Sequence, residues 1–262
     1  MASNSAPLAH DDTGRGTAVL FLHGFPHDRG LWQPAVELLR DRARCITPDL
    51  PGFGASPLPA AQPTLDSVAD QLAELFDRLR VERAVITGLS MGGYLALTFW
   101  RRHADRVKAL CLCDTRATAD PAEARAKRDV MISLAETQGP AAVAEQLLPG
   151  SLGKSTLERL PERVAAVRAM LERQSVEGIV AGLRLLRDRP DQTPTLATIT
   201  VPTLVLVGAE DTLTPPDEVE RMAAQIPGAI ATRMPITGHL MPFEQPAAFA
   251  AGFGTFLGQL GG

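Results

Sequence analysis

Gly88-Leu89-Ser90-Met91-Gly92, with Gly93 behind it, lies where an apolar run of strand character, Arg83-Ala84-Val85-Ile86-Thr87, gives way to the helix-forming Tyr94-Leu95-Ala96-Leu97-Thr98-Phe99. The five residues form a G-x-S-x-G pattern in the strand-turn-helix context that gives this pattern chemical meaning. A serine hydroxyl is a poor nucleophile until it is lifted clear of its neighbours and given a base, and a tight strand-to-helix turn does the lifting. Chain segments must then pass closely on either side of Ser90, which explains glycine at 88 and 92, where a Cβ would collide. The helix beginning near Met91 leaves amide N–H groups unpaired beside the serine. Taken alone, the segment also admits a plainer reading, a glycine-rich turn whose serine caps the helix.

Working outward, the same alternation recurs. Ala18-Val19-Leu20-Phe21-Leu22-His23-Gly24 is a continuous apolar run ended by glycine, as expected of a strand covered on both faces of a parallel sheet. Arg44-Cys45-Ile46-Thr47-Pro48-Asp49 is a second strand, followed by the turn-rich Leu50-Pro51-Gly52-Phe53-Gly54. Thr64 can cap a helix on which Leu65, Val68, Leu72, Leu75 and Leu79 recur at helical spacing. Further strands read at Val107–Asp114, Thr203–Gly208 and Ile230–Met234, with helices from Pro215 to Ile226 and from Ala247 to Leu260. Strands alternating with helices indicate an α/β fold with right-handed crossovers and a mostly parallel central sheet flanked by helices. Between about Arg116 and Thr198 the rhythm changes to Ala, Leu, Arg and Glu in helical patterns (124–137, 141–148, 160–174 and 176–188), with no strand. This segment reads as an insertion of several helices, its mixed charges fitting solvated faces.

Bulk properties bound the function. The 262 residues, 45% of them hydrophobic, suffice for one large domain with an insertion. A formal charge of -4 with interspersed signs offers no basic stripe for nucleic acid and no polybasic membrane patch, so a small-molecule partner is expected. Residues 1–16 are polar, with Asp11 and Asp12 where a signal peptide would need an apolar core, and the reading is a soluble cytoplasmic protein, monomeric or homodimeric. Cys45, Cys111 and Cys113 lie in apolar strand-like segments without metal-ligand spacing, and read as buried reduced thiols.

An activated serine needs a base, an acid to orient that base, and donors for the oxyanion. Asp211 follows the Leu204 strand within Gly208-Ala209-Glu210-Asp211, and His239 follows the Ile230 strand, so both fall at the carboxyl edge of the sheet, where open α/β sheets hold their ligands. Glu210 stands beside Asp211 as an alternative acid. His23-Gly24-Phe25 ends the Val19 strand and can bring the Phe25 backbone N–H beside that of Met91. With Ser90, Asp211 and His239 in that chain order, the set resembles the α/β-hydrolase superfamily along nearly its whole length. His23-Gly24-Phe25-Pro26, Asp49-Leu50-Pro51-Gly52-Phe53-Gly54-Ala55-Ser56, residues 88–93, Gly208-Ala209-Glu210-Asp211 and Gly238-His239 carry the likeness, which is strongest to small bacterial carboxylesterases, with 3-oxoadipate enol-lactonases and cofactor-free haloperoxidases (perhydrolases) close behind.

That resemblance implies an α/β-hydrolase core at 1–115 and 199–262 with a helical cap (lid) domain at 116–198. It further implies a carboxylesterase-type serine hydrolase with Ser90 as nucleophile, His239 as base and Asp211 as its orienting acid. The oxyanion hole would come from the N–H groups of Phe25 and Met91, with His23, Gly24, Gly88 and Gly92 in support, and with no cofactor or metal. Lactonase and perhydrolase activities share these residues, and a ligand-sensing signalling protein on the same fold is the reading from another class. Asp114 is an alternative acid, since some family members draw the acid from that strand end. His23 reads as fixing the oxyanion loop, His27 and Trp32 as candidates for the pocket entrance, and His10 and His103 as surface residues. Two departures stand out: only Pro7 to Gly14 precede the Ala18 strand, so the sheet edge is short or lacks its first strand, and Met91 follows the serine where many members carry another residue. In the insertion, Met131, Leu134, Leu147, Leu148, Met170 and Leu185 could line an apolar pocket, although most read as packing between helices.

Overall fold

A computed structural model describes residues 6–260. Its centre is a seven-stranded sheet made of β1 (His10–Gly14), β2 (Thr17–Leu22), β3 (Ala43–Pro48), β4 (Ala84–Leu89), β5 (Val107–Cys113), β6 (Thr203–Gly208) and β7 (Ile230–Met234). The spatial order is β1-β3-β2-β4-β5-β6-β7, and all neighbours run parallel except β1, which pairs antiparallel with β3. The sheet edge is therefore short but present. The five residues of β1 carry no large apolar side chain and are partly or fully exposed, as an edge strand allows, which is why no apolar run announces it.

Successive residues of each central strand feed opposite cores, the period-2 consequence of the pleat. Leu20, Leu22, Ile86, Leu110 and Val205 face one side, where they pack with α2 (Leu65–Leu79), α3 (Met91–His103) and α9 (Pro216–Ala223). Val19, Phe21, Val85, Cys111 and Leu204 face the other, against α1 (Gln33–Leu39) and the terminal α11 (Pro246–Gln259). Helix α2 starts as its sequence predicts: Thr64 accepts from the Ser67 N–H, and the Ser67 hydroxyl accepts from the Thr64 N–H. The three cysteines are buried free thiols. Trp32, expected near a pocket entrance, lies instead wholly within the second core against Phe21 and Phe249, because a short 3-10 turn after the 23–28 loop directs it inward.

Between β5 and β6 run α4 (Ala122–Ser151), α5 (Lys154–Arg159), α6 (Pro161–Glu172), α7 (Val176–Asp188) and the single turn α8 (Thr193–Leu196). The α4 span is two helical pieces joined at Gly139, whose φ of 79° and following Pro140 break the helix where the sequence pattern is interrupted. Its pieces pack on α7 through Ile132, Ala135, Val143, Ile179 and Leu183. Among the described residues no helix is long and apolar enough to cross a membrane. A short helix, α10 (Met241–Glu244), follows His239.

Candidate active site

The turn after β4 has the geometry the glycines foretell. Ser90 adopts φ 53° and ψ -113°, a conformation that is strained for a residue with a side chain. A Cβ on Gly88 would lie 2.1 Å from the Gly92 carbonyl oxygen, and one on Gly92 would lie 2.1 Å from that of Leu22. The end of β5 holds the turn in place: the Ser90 N–H donates to the Cys113 carbonyl at 2.9 Å, and the Thr115 hydroxyl, two residues on, donates to the Ser90 carbonyl at 2.8 Å. Ser90 remains partly exposed in an otherwise buried segment.

β6 and β7 end beside it. His239 Nδ1 lies 2.8 Å from Asp211 Oδ2, with both side chains almost wholly buried. Asp211 Oδ1 also accepts the N–H groups of Leu213 and Thr214 at 2.8 and 3.1 Å, and the Thr214 hydroxyl donates to Oδ2. Burial by itself would raise the Asp211 carboxyl, but the attraction and hydrogen bond of His239, with the Thr214 donors, outweigh it and hold Asp211 below the usual carboxylate range. A carboxylate can only accept, so His239 carries its proton on Nδ1 and leaves Nε2 free to act as a base. Ser90 and His239 line one cavity of about 350 Å³. Its walls include Phe25, Met131, Leu147 and Leu183.

The backbone N–H groups of Phe25 and Met91 have no hydrogen-bond partner among the described residues, which leaves them available to an oxyanion. His23 fixes the loop that carries Phe25. Its Nε2 accepts the Leu50 N–H at 2.9 Å, so Nδ1 bears the proton and donates to the Gly24 carbonyl at 2.9 Å. Complete burial lowers its pKa and keeps the ring neutral, as this pattern needs. His27 is buried too, pushed down to about 3 chiefly by desolvation, and is not part of the cavity wall.

The two alternative acids are engaged elsewhere. Glu210 accepts the N–H of Ser155 at 2.8 Å and its hydroxyl at 2.5 Å, at the start of α5. Asp114 Oδ1 accepts the Gly208 N–H at 2.7 Å, and burial, with Asp211 nearby, drives its carboxyl well above the ordinary range. Neither bonds to His239.

Sequence reasoning missed three features. Thr214 supports Asp211 through both its N–H and its hydroxyl. Glu244, wholly buried, accepts the N–H groups of Gly238 and Leu240 on Oε1, and the Gly153 N–H and the Thr156 hydroxyl on Oε2. Charged residues of the insertion also reach the cavity: Lys127 and Arg128 on α4, and Arg189 after α7. Of the apolar candidates there, Met131 and Leu147 line it, while Leu148 and Met170 belong to the second core, Leu185 to the first, and Leu134 packs where α4 meets α7. The spacing Ala124, Lys127, Arg128, Met131 puts all four on one helix face, a signal that was open to reading.

Comparison with known proteins identifies the family. A family model described as alpha/beta hydrolase fold matches residues 17–246. The chain belongs to the alpha/beta hydrolase fold family. Within the alpha/beta hydrolases, it is 31% identical to the AB hydrolase superfamily protein YisY of Bacillus subtilis (strain 168), over 90% of this chain and 89% of that one. An esterase from Thermogutta terrifontis, solved with malate bound, superposes with a TM-score of 0.94 at 40% identity, covering 97% of this chain and 93% of the other. The enol-lactonase of Burkholderia xenovorans LB400 superposes with a TM-score of 0.89 at 27% identity, covering 96% of each.

Proposed function

We propose that this alpha/beta hydrolase is a carboxylesterase-type serine hydrolase acting on small-molecule esters through an acyl-enzyme on Ser90. The observation that carries the reading is the bond from His239 Nδ1 to Asp211, beside a cavity that Ser90 and His239 share. In this reading His239 Nε2 takes the Ser90 proton as Oγ adds to the ester carbonyl. The Phe25 and Met91 N–H groups receive the oxyanion, Asp211 stabilises the imidazolium, and His239 returns the proton to the departing alkoxide. Water deprotonated by His239 then attacks the acyl-serine, and collapse of the second tetrahedral adduct frees the acid and regenerates Ser90. Residues 116–198 act as the cap that selects the substrate. A lactone undergoes the same steps with its leaving alkoxide still tethered, and the likeness to the Burkholderia enol-lactonase favours testing lactones alongside esters.

Ser90→Ala should fold normally and lose on the order of 10⁴-fold or more in kcat on p-nitrophenyl acetate. Intact-mass spectrometry after a fluorophosphonate probe should show one adduct on the native chain and none on the variant. Undiminished turnover by Ser90→Ala would remove the assignment.

A further inference from the structure

The cavity beside Ser90 carries an excess of positive charge that ester hydrolysis does not require. Arg116, Lys127, Arg128 and Arg189 line it against one acidic lining residue, Asp120. Asp120 is almost fully buried and is shared: Arg189 Nη1 lies 2.7 Å from its Oδ1, and Arg128 Nε lies 3.1 Å from its Oδ2. Arg189 is otherwise committed, donating to the carbonyls of Thr118 and Leu186 and lying over the Tyr94 ring. Arg128 uses only Nε among the described residues, so both terminal nitrogens of its guanidinium retain their donors. Arg116 donates to the Leu213 carbonyl and lies 3.5 Å from Glu218, while its buried Nε has no partner among the described residues. Lys127 is at the rim, paired with exposed Glu123 at 2.7 Å.

Cations gathered in a concave site with low-dielectric walls raise the local concentration of anions, and a guanidinium with spare donors binds carboxylates through charge-assisted hydrogen bonds. We propose that Arg128 and Arg116, with Lys127 at the rim, form a carboxylate-binding subsite, so that the favoured substrates are esters or lactones bearing a second, free carboxylate. The buried Asp120–Arg189 pair holds Arg128 in place at one end while its other donors face the ligand. The subsite specifies the substrate class of the esterase proposed above and rests on that reading.

Turnover and binding test it separately. Mono-p-nitrophenyl adipate and p-nitrophenyl hexanoate match in carbon number and differ in one carboxylate on the acyl side; 4-acetoxybenzoate and its methyl ester place the difference on the alcohol side. With uncatalysed hydrolysis subtracted, kcat/KM at low ionic strength should favour the anionic member of at least one pair by roughly tenfold or more. The preference should shrink in 0.5 M sodium chloride, about the point where screening reaches only a few ångströms. Arg128→Gln and Arg116→Gln should each narrow the anionic-to-neutral ratio, and Arg128→Lys should restore part of it. A ratio near one in both pairs, or one that survives both Gln substitutions, overturns the subsite. Calorimetric titration of adipate into Ser90→Ala protein reads binding without chemistry. Saturable binding that weakens at least fivefold with Arg128→Gln added supports the subsite, and absence of binding refutes it. A failed esterase reading, by contrast, appears as loss of turnover on all four esters while adipate still binds.

Discussion

Glu244 shows how much of a site can rest on a residue that never meets substrate. Its buried carboxylate accepts four hydrogen bonds, two from the residues flanking His239 and two from the chain around α5. Backbones touch where it works: a Cβ on Gly238 would lie 2.1 Å from the Gly153 nitrogen. Glu244→Gln turns an amide donor toward one pair of donors and forfeits two charge-assisted bonds. The expected cost is about 2–4 kcal/mol of stability, read as a lower urea midpoint. In the fraction that stays folded, kcat should fall with KM little changed, because His239 loses its fixed orientation while the cavity wall is untouched. The sequence shows Glu244 five residues after His239 but not its bracing role, since two of its four donors come from Gly153 and Thr156, far away in the chain. Glu210 stayed open beside the preferred Asp211 for a different reason: adjacent residues on a turn face different ways, and the structure shows Asp211 reaching His239 and Glu210 reaching Ser155.

Among the elements, legibility followed burial. Strands covered on both faces announce themselves as apolar runs, and β2, β4, β5 and β6 read close to their observed bounds, which locates the edge holding Ser90 and Asp211. The exception is β7, which places His239 and is legible at its observed bounds although exposed along most of its length. Polar edge strand β1 and the seven-residue α1 carry too little periodicity to be read. How the insertion meets the core was also hidden, because long-range polar contacts make it. Asp28, just past the loop that carries Phe25, receives two hydrogen bonds from Arg173 at 2.7 Å each and one from Gln174, whose side-chain oxygen accepts the Gly54 N–H. Burial pushes Asp28 up, but the Arg173 and Gly30 bonds outweigh it and hold its carboxyl below the ordinary range. Arg173→Met keeps much of the stem packing and removes the charge. Because Arg173 is half exposed, the expected loss is about 1–2 kcal/mol at pH 7. Asp28's depressed pKa contributes stability that is complete above the ordinary carboxylate range and vanishes as pH falls through its folded value. The gap between variant and parent in guanidinium titrations should therefore close on strong acidification, and a gap independent of pH would mean that packing, not the ion pair, holds the insertion here.

For the molecule as a whole, the buried histidines near the site set how the fold responds to acid. His23 and His27 are completely buried and lowered by desolvation, His27 to about 3 from an ordinary value near 6.5. Between those two pH values the unfolded chain takes up a proton at His27 that the folded chain refuses. The stability that the neutral ring contributes is thus complete above about pH 6.5 and declines as pH falls, by up to about 1.4 kcal/mol per pH unit for each such histidine, until the folded ring also protonates. His23 adds a slope of the same sign, because its Nε2 must stay unprotonated to accept the Leu50 N–H. Asp114, raised by burial, acts in the opposite sense, since the folded chain keeps a proton that the unfolded chain releases. The histidine share of the change between pH 7 and pH 5 in urea unfolding is a loss, and it is read by difference. In His27→Leu, which removes the titrating group at similar volume, that loss should be smaller by about 2 kcal/mol over the same interval. Equal losses in the two proteins would show that His27 takes up its proton without unfolding, and the neutral ring assigned to it would have to be given up.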